Sequence, residues 1–229
     1  MPDGLRLSFG RRTFMNMTTK KSVLLAGSTG LVGRECLAAL LADSSFSPVT
    51  ILLRQPLPSP PASDRLVACV VDFEHLDRET SAFAVDQVFC CLGTTMAKAG
   101  SRDAFRRVDY DYALHVAQLA LAGGANHFLL VSALGADATS RVFYNRVKGE
   151  LEQAIGRLGY RSLTIVRPSL LLGQRHERRL GEEIAKRFTA LTPAPWRPVH
   201  AKQVAAALVR AAREGMPGTR VIANRELFF

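Results

Sequence analysis

"SVLLAGSTGLVG", residues 22–33, decides the fold. It begins as a short apolar, β-rich run that ends in Gly27. Gly30 and Gly33 follow at intervals of three, with Ser28 and Thr29 inside the first interval and Leu31 and Val32 inside the second. A helical pattern then takes over, with Leu31, Val32, Cys36, Leu37, Leu40 and Leu41 on one side. A strand that turns through glycines into a helix brings free backbone N–H groups and the positive end of a helix dipole to one point. The glycines permit a tight turn and let a diphosphate approach the backbone closely. The spacing is GxxGxxG rather than GxGxxG.

The same alternation continues outward. "VTILL" (49–53), "RLVACVVDF" (65–73), "DQVFCCLG" (86–93), "NHFLLVSALG" (126–135) and "SLTIVRPSLLLG" (162–173) read as further strands. Helical patterns fill 102–123, through Phe105, Val108, Tyr112, Val116 and Leu119, and about 143–158. The strands are continuous apolar runs, as when helices cover both sheet faces. The fold class expected is therefore α/β: a doubly wound parallel sheet of Rossmann type, with helices on both faces and a small C-terminal substrate cap. Residues 1–20 read as a flexible N-terminal extension, with Met17 as an alternative start. Residues 21–229 read as a single domain whose cap spans about 174–229. The Pro/Ser-rich "RQPLPSPPASD" (54–64) is a loop after strand two.

Composition narrows the classes. The chain has 229 residues, 48% hydrophobic and 22% charged, enough for one sizeable core. No apolar run approaches the ~18 residues of a membrane span. Cys36, Cys69, Cys90 and Cys91 form no CxxC, and the five histidines show no metal-ligand spacing, so buried reduced thiols, a cytoplasmic location and no metal are expected. The net charge of +10 raises nucleic-acid binding. The bases are scattered, however, and the densest run, "GQRHERRLGEEIAKR" (173–187), is diluted by Glu177, Glu182 and Glu183. A solvated helix face is the better reading, and no nucleic-acid partner is expected. An anionic ligand would gain from the positive field.

Arg54 stands at the end of strand two, where an NAD-selective site carries Asp or Glu on the ribose hydroxyls. A guanidinium there can clamp a 2′-phosphate, so the expected cofactor is NADP(H). "VFYNRVKGEL" (142–151) sets Tyr144 four residues before Lys148, on one face of a helix. Ser132 ends strand five, and the ligand crevice of an open α/β sheet runs along such strand ends. Reducing a carbonyl with hydride needs a proton for the developing alkoxide. Tyr144 would donate it, Lys148 would stabilise the phenolate and hold the nicotinamide ribose, and Ser132 would bond the carbonyl oxygen.

These residues resemble the short-chain dehydrogenase/reductase superfamily. "VVDFEHLD", "CCLGTTMAKAG", "LVSALGAD" and "YNRVKGELE" are similar to its atypical members related to the HIV-Tat-interacting protein, over about residues 21–190. The resemblance implies that Gly27, Gly30, Gly33 and Arg54 hold NADPH and that Asp72 and Phe73 flank the adenine. It implies that Leu92, Gly93 and Thr94 line the cofactor and that Arg167, Pro168 and Ser169 approach the nicotinamide. It departs in "RRVDYD", where Asp109 stands in place of the superfamily's catalytic Asn. The leading expectation is an NADPH-dependent oxidoreductase that reduces a small carbonyl compound. The alternatives are an NADPH-binding regulatory protein with little turnover and a sugar-nucleotide epimerase or dehydratase. The apolar faces of 102–123 and 143–158 suit a homodimer built on a four-helix seam.

Overall fold

The computed structural model of the protein describes residues 20–172 and 196–228. Among the described residues seven strands make one sheet: β1 (Lys21–Ala26), β2 (Phe46–Leu53), β3 (Leu66–Val70), β4 (Gln87–Cys90), β5 (His127–Val131), β6 (Ser162–Arg167) and β9 (Gly218–Ala223). Their order is β3-β2-β1-β4-β5-β6-β9, and every neighbouring pair is parallel. The chain walks from β1 to one edge, then returns to β4 on the other side. The switch between β1 and β4 is where such sheets open a crevice.

Successive strand residues face opposite layers. Val23, Leu25, Ile51, Phe89 and Leu129 pack with helices α1 (Leu31–Ala42) and α6 (Ala201–Glu214). Leu24, Leu52, Val88, Cys90, Phe128 and Leu130 pack with α4 (Tyr112–Ala122) and α5 (Phe143–Gly156). The doubly wound sheet is thus covered on both faces, as its continuous apolar strands require.

Four details differ from the sequence pattern. The strands end at Cys90, Val131 and Arg167, short of the expected limits. Pro168 has no N–H for a ladder, and Gly135 turns into the left-handed region at φ 80°. The pattern at 102–123 is three joined pieces: α3 (Arg102–Arg106), a π-helical turn (Arg107–Asp111) and α4; the short α2 (Met96–Ala99) precedes them. Edge strand β3 leaves Val67 and Val70 exposed, so apolar continuity does not mean cover there. Finally, β9 pairs in register with β6 from Ser162↔Gly218 to Arg167↔Ala223, and α6 lies on the α1 layer. Much of the described part of 174–229 therefore extends the main sheet and its helical cover. A two-stranded pair, β7 (Leu171–Leu172) with β8 (Val199–His200), stands apart. The basic run at 173–187 lies outside the described residues, as do residues 1–19.

His127 opens β5 fully buried, with Nε2 2.9 Å from Thr164 Oγ1 and Nδ1 without a partner. Burial, then the charge of Lys21, lowers its pKa from 6.5 to about 4. The folded state holds it neutral, so its contribution is present above the unfolded value and is lost as pH falls through the folded one. Between pH 7 and 5 the wild type should lose about 2 kcal/mol more unfolding free energy than His127→Leu, measured in urea. Equal losses would exclude this assignment.

Candidate active site

The glycine turn is built by contact. Gly27 has φ 85°, and a Cβ on it would lie 2.5 Å from the Cys91 carbonyl oxygen. A Cβ on Gly33 would lie 2.0 Å from the Gly27 carbonyl oxygen. The turn therefore presses against β4 on one side and against the start of α1 on the other. Gly30 caps α1 with no side-chain bond, and the first turn carries no acid. Beside these free N–H groups the Ser28 hydroxyl is buried without a partner. Open N–H groups, an unsatisfied hydroxyl and no competing carboxylate fit a diphosphate.

At the ends of β2 and β3 a cavity of about 560 Å³ is lined by Arg54, Val70, Val71, Asp72, Phe73 and Tyr112. The Arg54 guanidinium lies 5.7 Å from the centroid of the Phe73 ring and 5.9 Å from that of Tyr112. Those two rings are 5.4 Å apart. Tyr112 donates its hydroxyl to Glu74 at 2.5 Å, and burial together with that bond raises its pKa to about 12. Asp72 is engaged locally, with Oδ2 2.8 Å from His75 Nδ1 and Oδ1 accepting from Glu74 N–H at 2.9 Å. The sequence singled out Arg54, Asp72 and Phe73 but not Tyr112. A tyrosine three residues beyond Asp109 carries no signal of its own.

The third part centres on α5. Tyr144 sits half-buried in its first turn, with its ring 5.5 Å from Phe105 of α3. One turn later Lys148 is buried, and its Nζ is 2.7 Å from Asp109 Oδ1. Asp109 is itself only 1% exposed, and its Oδ2 accepts the Thr94 N–H at 2.7 Å. The residue at the superfamily's Asn position thus occupies the π-helical turn and binds both the lysine and the loop after β4. A Cβ on Gly93 would lie 3.4 Å from Asp109 Oδ1 and 3.7 Å from Lys148 Nζ, so a glycine floors the pair. Burial alone would lower the lysine pKa; the Asp109 carboxylate and the Tyr144 phenol outweigh it and hold it above the ordinary value. Burial raises the Tyr144 pKa, opposed by Lys148 and assisted by Asp109. Tyr144 is therefore a neutral phenol at pH 7.

Ser132 follows β5, with its N–H bonded to Val166 O at 2.8 Å and its hydroxyl buried without a partner. The 167–169 segment is largely taken up by protein contacts. Arg167 pairs with Glu152, Pro168 O accepts Leu134 N–H at 2.7 Å, and Ser169 Oγ donates to Arg197 O at 2.6 Å. The glycine turn, Arg54, Asp72, Leu92–Thr94 and Ser132 all follow the C-terminal ends of strands, on one side of the sheet. Among the described residues no group of three or more His, Cys, Asp or Glu could hold a metal ion. No helix among them is long and apolar enough to cross a membrane.

A family model described as NAD(P)H-binding matches residues 27–214. "Protein HTATIP2" of Rattus norvegicus is 44% identical over 178 residues, 77% of this chain and 73% of that one. "Protein fmp52, mitochondrial" of Emericella nidulans is 35% identical over 172 residues, 73% of this chain and 74% of that one. Among solved structures, MoeE5 in complex with UDP-glucose and NAD superposes with a TM-score of 0.67 at 16% identity, covering 90% of this chain and 79% of that one. The fungal relative corrects one expectation. A cytoplasmic location was read from reduced thiols, and the name of that relative places it in mitochondria. Cysteines outside a disulfide bear on oxidation state and do not name a compartment.

The contacts of the turn rank two substitutions. A Cβ on Gly30 would meet Gly27 O at 3.2 Å, against 2.0 Å for Gly33. Gly33→Ala should destabilise by at least ~1–3 kcal/mol, as overpacking does, and Gly30→Ala by clearly less. Urea unfolding of both variants checks the order, and the reverse order would mean that the turn is not set by this contact.

Proposed function

Because the chain belongs to the NAD(P)H-binding family, and within it to the atypical short-chain dehydrogenase/reductase-like proteins related to HTATIP2 and FMP52, we propose that it moves hydride at a carbon bearing oxygen, with Tyr144 as the proton donor. The observation that carries the reading is the pair at the head of α5: a half-buried neutral phenol and, one turn on, a buried ammonium. Gly27, Ser28, Gly30 and Gly33 would hold the diphosphate, and Phe73 and Tyr112 the adenine. Lys148 would hold the nicotinamide ribose. When bound, the cofactor supplies or accepts the hydride. Where hydride is delivered, Tyr144 would give its phenolic proton to the oxygen that gains charge, with the Ser132 hydroxyl donating a hydrogen bond to the same oxygen; where hydride is taken from an alcohol, the Tyr144 phenolate would take the alcohol proton. The Lys148 ammonium stabilises the phenolate left behind.

For the substrate, the sequence favoured a small carbonyl compound, whereas the solved neighbours weigh for a nucleotide-linked sugar. MoeE5 is bound to UDP-glucose and NAD, and other neighbours are epimerases, one of them in complex with UDP-N-acetylmuramic acid. The same tyrosine and lysine can serve either class, since each needs a proton moved as hydride moves. We place the nucleotide-linked sugar first. The small carbonyl stays as the second reading because α6, β9 and the turn after it take up most of the described C-terminal residues.

Two measurements test this. In a panel of nucleotide sugars and small aldehydes and ketones, followed by nicotinamide absorbance and by product chromatography, Tyr144→Phe should lower turnover ~10²–10⁴-fold. NADPH affinity should stay near the wild-type value. Turnover that survives the substitution would remove Tyr144 from the chemistry, and a silent panel would favour a cofactor-binding regulator. Second, Arg54 lies against both the Phe73 and Tyr112 rings, where it would reach the ribose, and no acid of the kind that selects NAD stands in its place. NADPH should bind more tightly than NADH, and Arg54→Ala should abolish the difference in a fluorescence titration. Equal wild-type affinities would overturn the preference.

A further inference from the structure

We propose that Asp109 is a positioning residue that clamps Lys148 to the cofactor-facing loop, and that the clamp requires a carboxylate, so that the superfamily's asparagine cannot replace it here. The proposal rests on the reading of Lys148 as a cofactor-holding cation.

The argument is one of donors and acceptors. Asp109 Oδ2 takes the Thr94 N–H at 2.7 Å, and Oδ1 faces Lys148 Nζ at 2.7 Å. Both partners are donors: Oδ2 is hydrogen-bonded, and Oδ1, which makes no aligned hydrogen bond, is held by the charge of the ion pair. An asparagine offers one oxygen and one NH₂. Whichever way its amide turns, the NH₂ faces either an ammonium or a backbone N–H. One contact becomes donor against donor, in a site where Asp109 is 1% exposed and the lysine side chain 5%. Asp109 lies in a π-helical turn, a distortion frequently found at functional positions.

Charge makes the same demand. The groups facing Lys148 are Asp109 from the π-helical turn, Tyr144 from its own helix and Cys90 from β4. Burial pushes the Cys90 thiol to about 12, and Tyr144 is raised as well, so both are neutral at pH 7. Asp109 is the only anion of the three. Without it, burial is left to drive the lysine toward its neutral form.

The test compares wild type, Asp109→Asn and the double variant Asp109→Asn/Lys148→Met. NADPH is titrated by fluorescence between about pH 7 and 9.5, and melting temperatures of the cofactor-free proteins are taken over the same range. Asp109→Asn should bind NADPH about tenfold more weakly at pH 7, the equivalent of one charge-assisted hydrogen bond. Its affinity should fall further as pH rises and Lys148 loses its proton, while wild-type affinity holds. The melts carry a sign. In the variant the folded lysine titrates below its unfolded value of ~10.4. The unfolded state then binds the extra proton, and stability rises with pH over that window. The melting deficit of Asp109→Asn should therefore shrink toward alkaline pH. A deficit constant with pH would mean that Asp109 only fastens Thr94, and unchanged NADPH affinity would remove the clamp; either overturns the proposal. The double variant buries no cation and should melt above the single variant, even where the single variant does not fold; melting below it would also overturn the clamp. If wild type binds neither NADPH nor NADH, the functional reading fails, and the melts still decide the clamp.

Discussion

The Gly27 α-carbon stands where any side chain would lie 2.5 Å from the Cys91 carbonyl oxygen. The organisation of the site follows from that approach. It lets β1 end directly against β4, so the switch point of the sheet is closed by backbone and not by side chains. It turns the chain sharply enough for α1 to begin at Leu31, with no side chain capping its first N–H groups. It also sets the loop after β4 beside the glycine turn. From there a short chain of contacts runs through Gly93 and Thr94 to Asp109 and Lys148. The glycine turn and the Tyr144–Lys148 end of the candidate site are joined through the loop that follows one short strand.

Along that path the protein places charge where it is costly. A buried ion pair is weak evidence for stability, because desolvation can cancel the attraction. The Lys148–Asp109 pair is therefore better explained by what it holds in place than by what it adds to folding. The hydroxyls of Ser28 and Ser132 point the same way, since each is buried and unsatisfied within the protein. By contrast, two arginines far from this path do ordinary structural work. Arg65 bonds the carbonyls of Leu41, Asp43 and Phe46 at the end of α1, and Arg213 pairs with Asp43.

The sequence showed what is local. The strand–turn–helix at 22–42, the apolar strands and the face shared by Tyr144 and Lys148 are set by spacing along the chain, and spacing is what a sequence displays. It hid what depends on distant partners. Asp109 is 39 residues from Lys148, and "RRVDYD" reads as ordinary helix, so neither the π-helical turn nor the ion pair could be seen. Tyr112 joins Arg54 across the sheet edge for the same reason. "GTRVIA" carries an arginine at its centre and reads poorly as a strand, because an edge position asks for little apolar cover. The compartment was misread because thiol chemistry reports reduction, not address.

The strand order also bears on how the chain can be assembled as it is synthesised. From β1 the sheet grows outward in chain order, first to β3 on one side and then through β4, β5 and β6 to β9 on the other. Each new strand leaving the ribosome finds its parallel neighbour already made. The helical cover is less fortunate. The flank of α1 that packs with α6 waits for residues 201–214, far along the chain from residues 31–42. Until then Cys36, Leu37 and Leu40 lack part of their final cover, in a parallel sheet whose non-local contacts form slowly. The growing chain thus carries an incompletely covered apolar surface on the helix that begins at the glycine turn, until α6 arrives to close it.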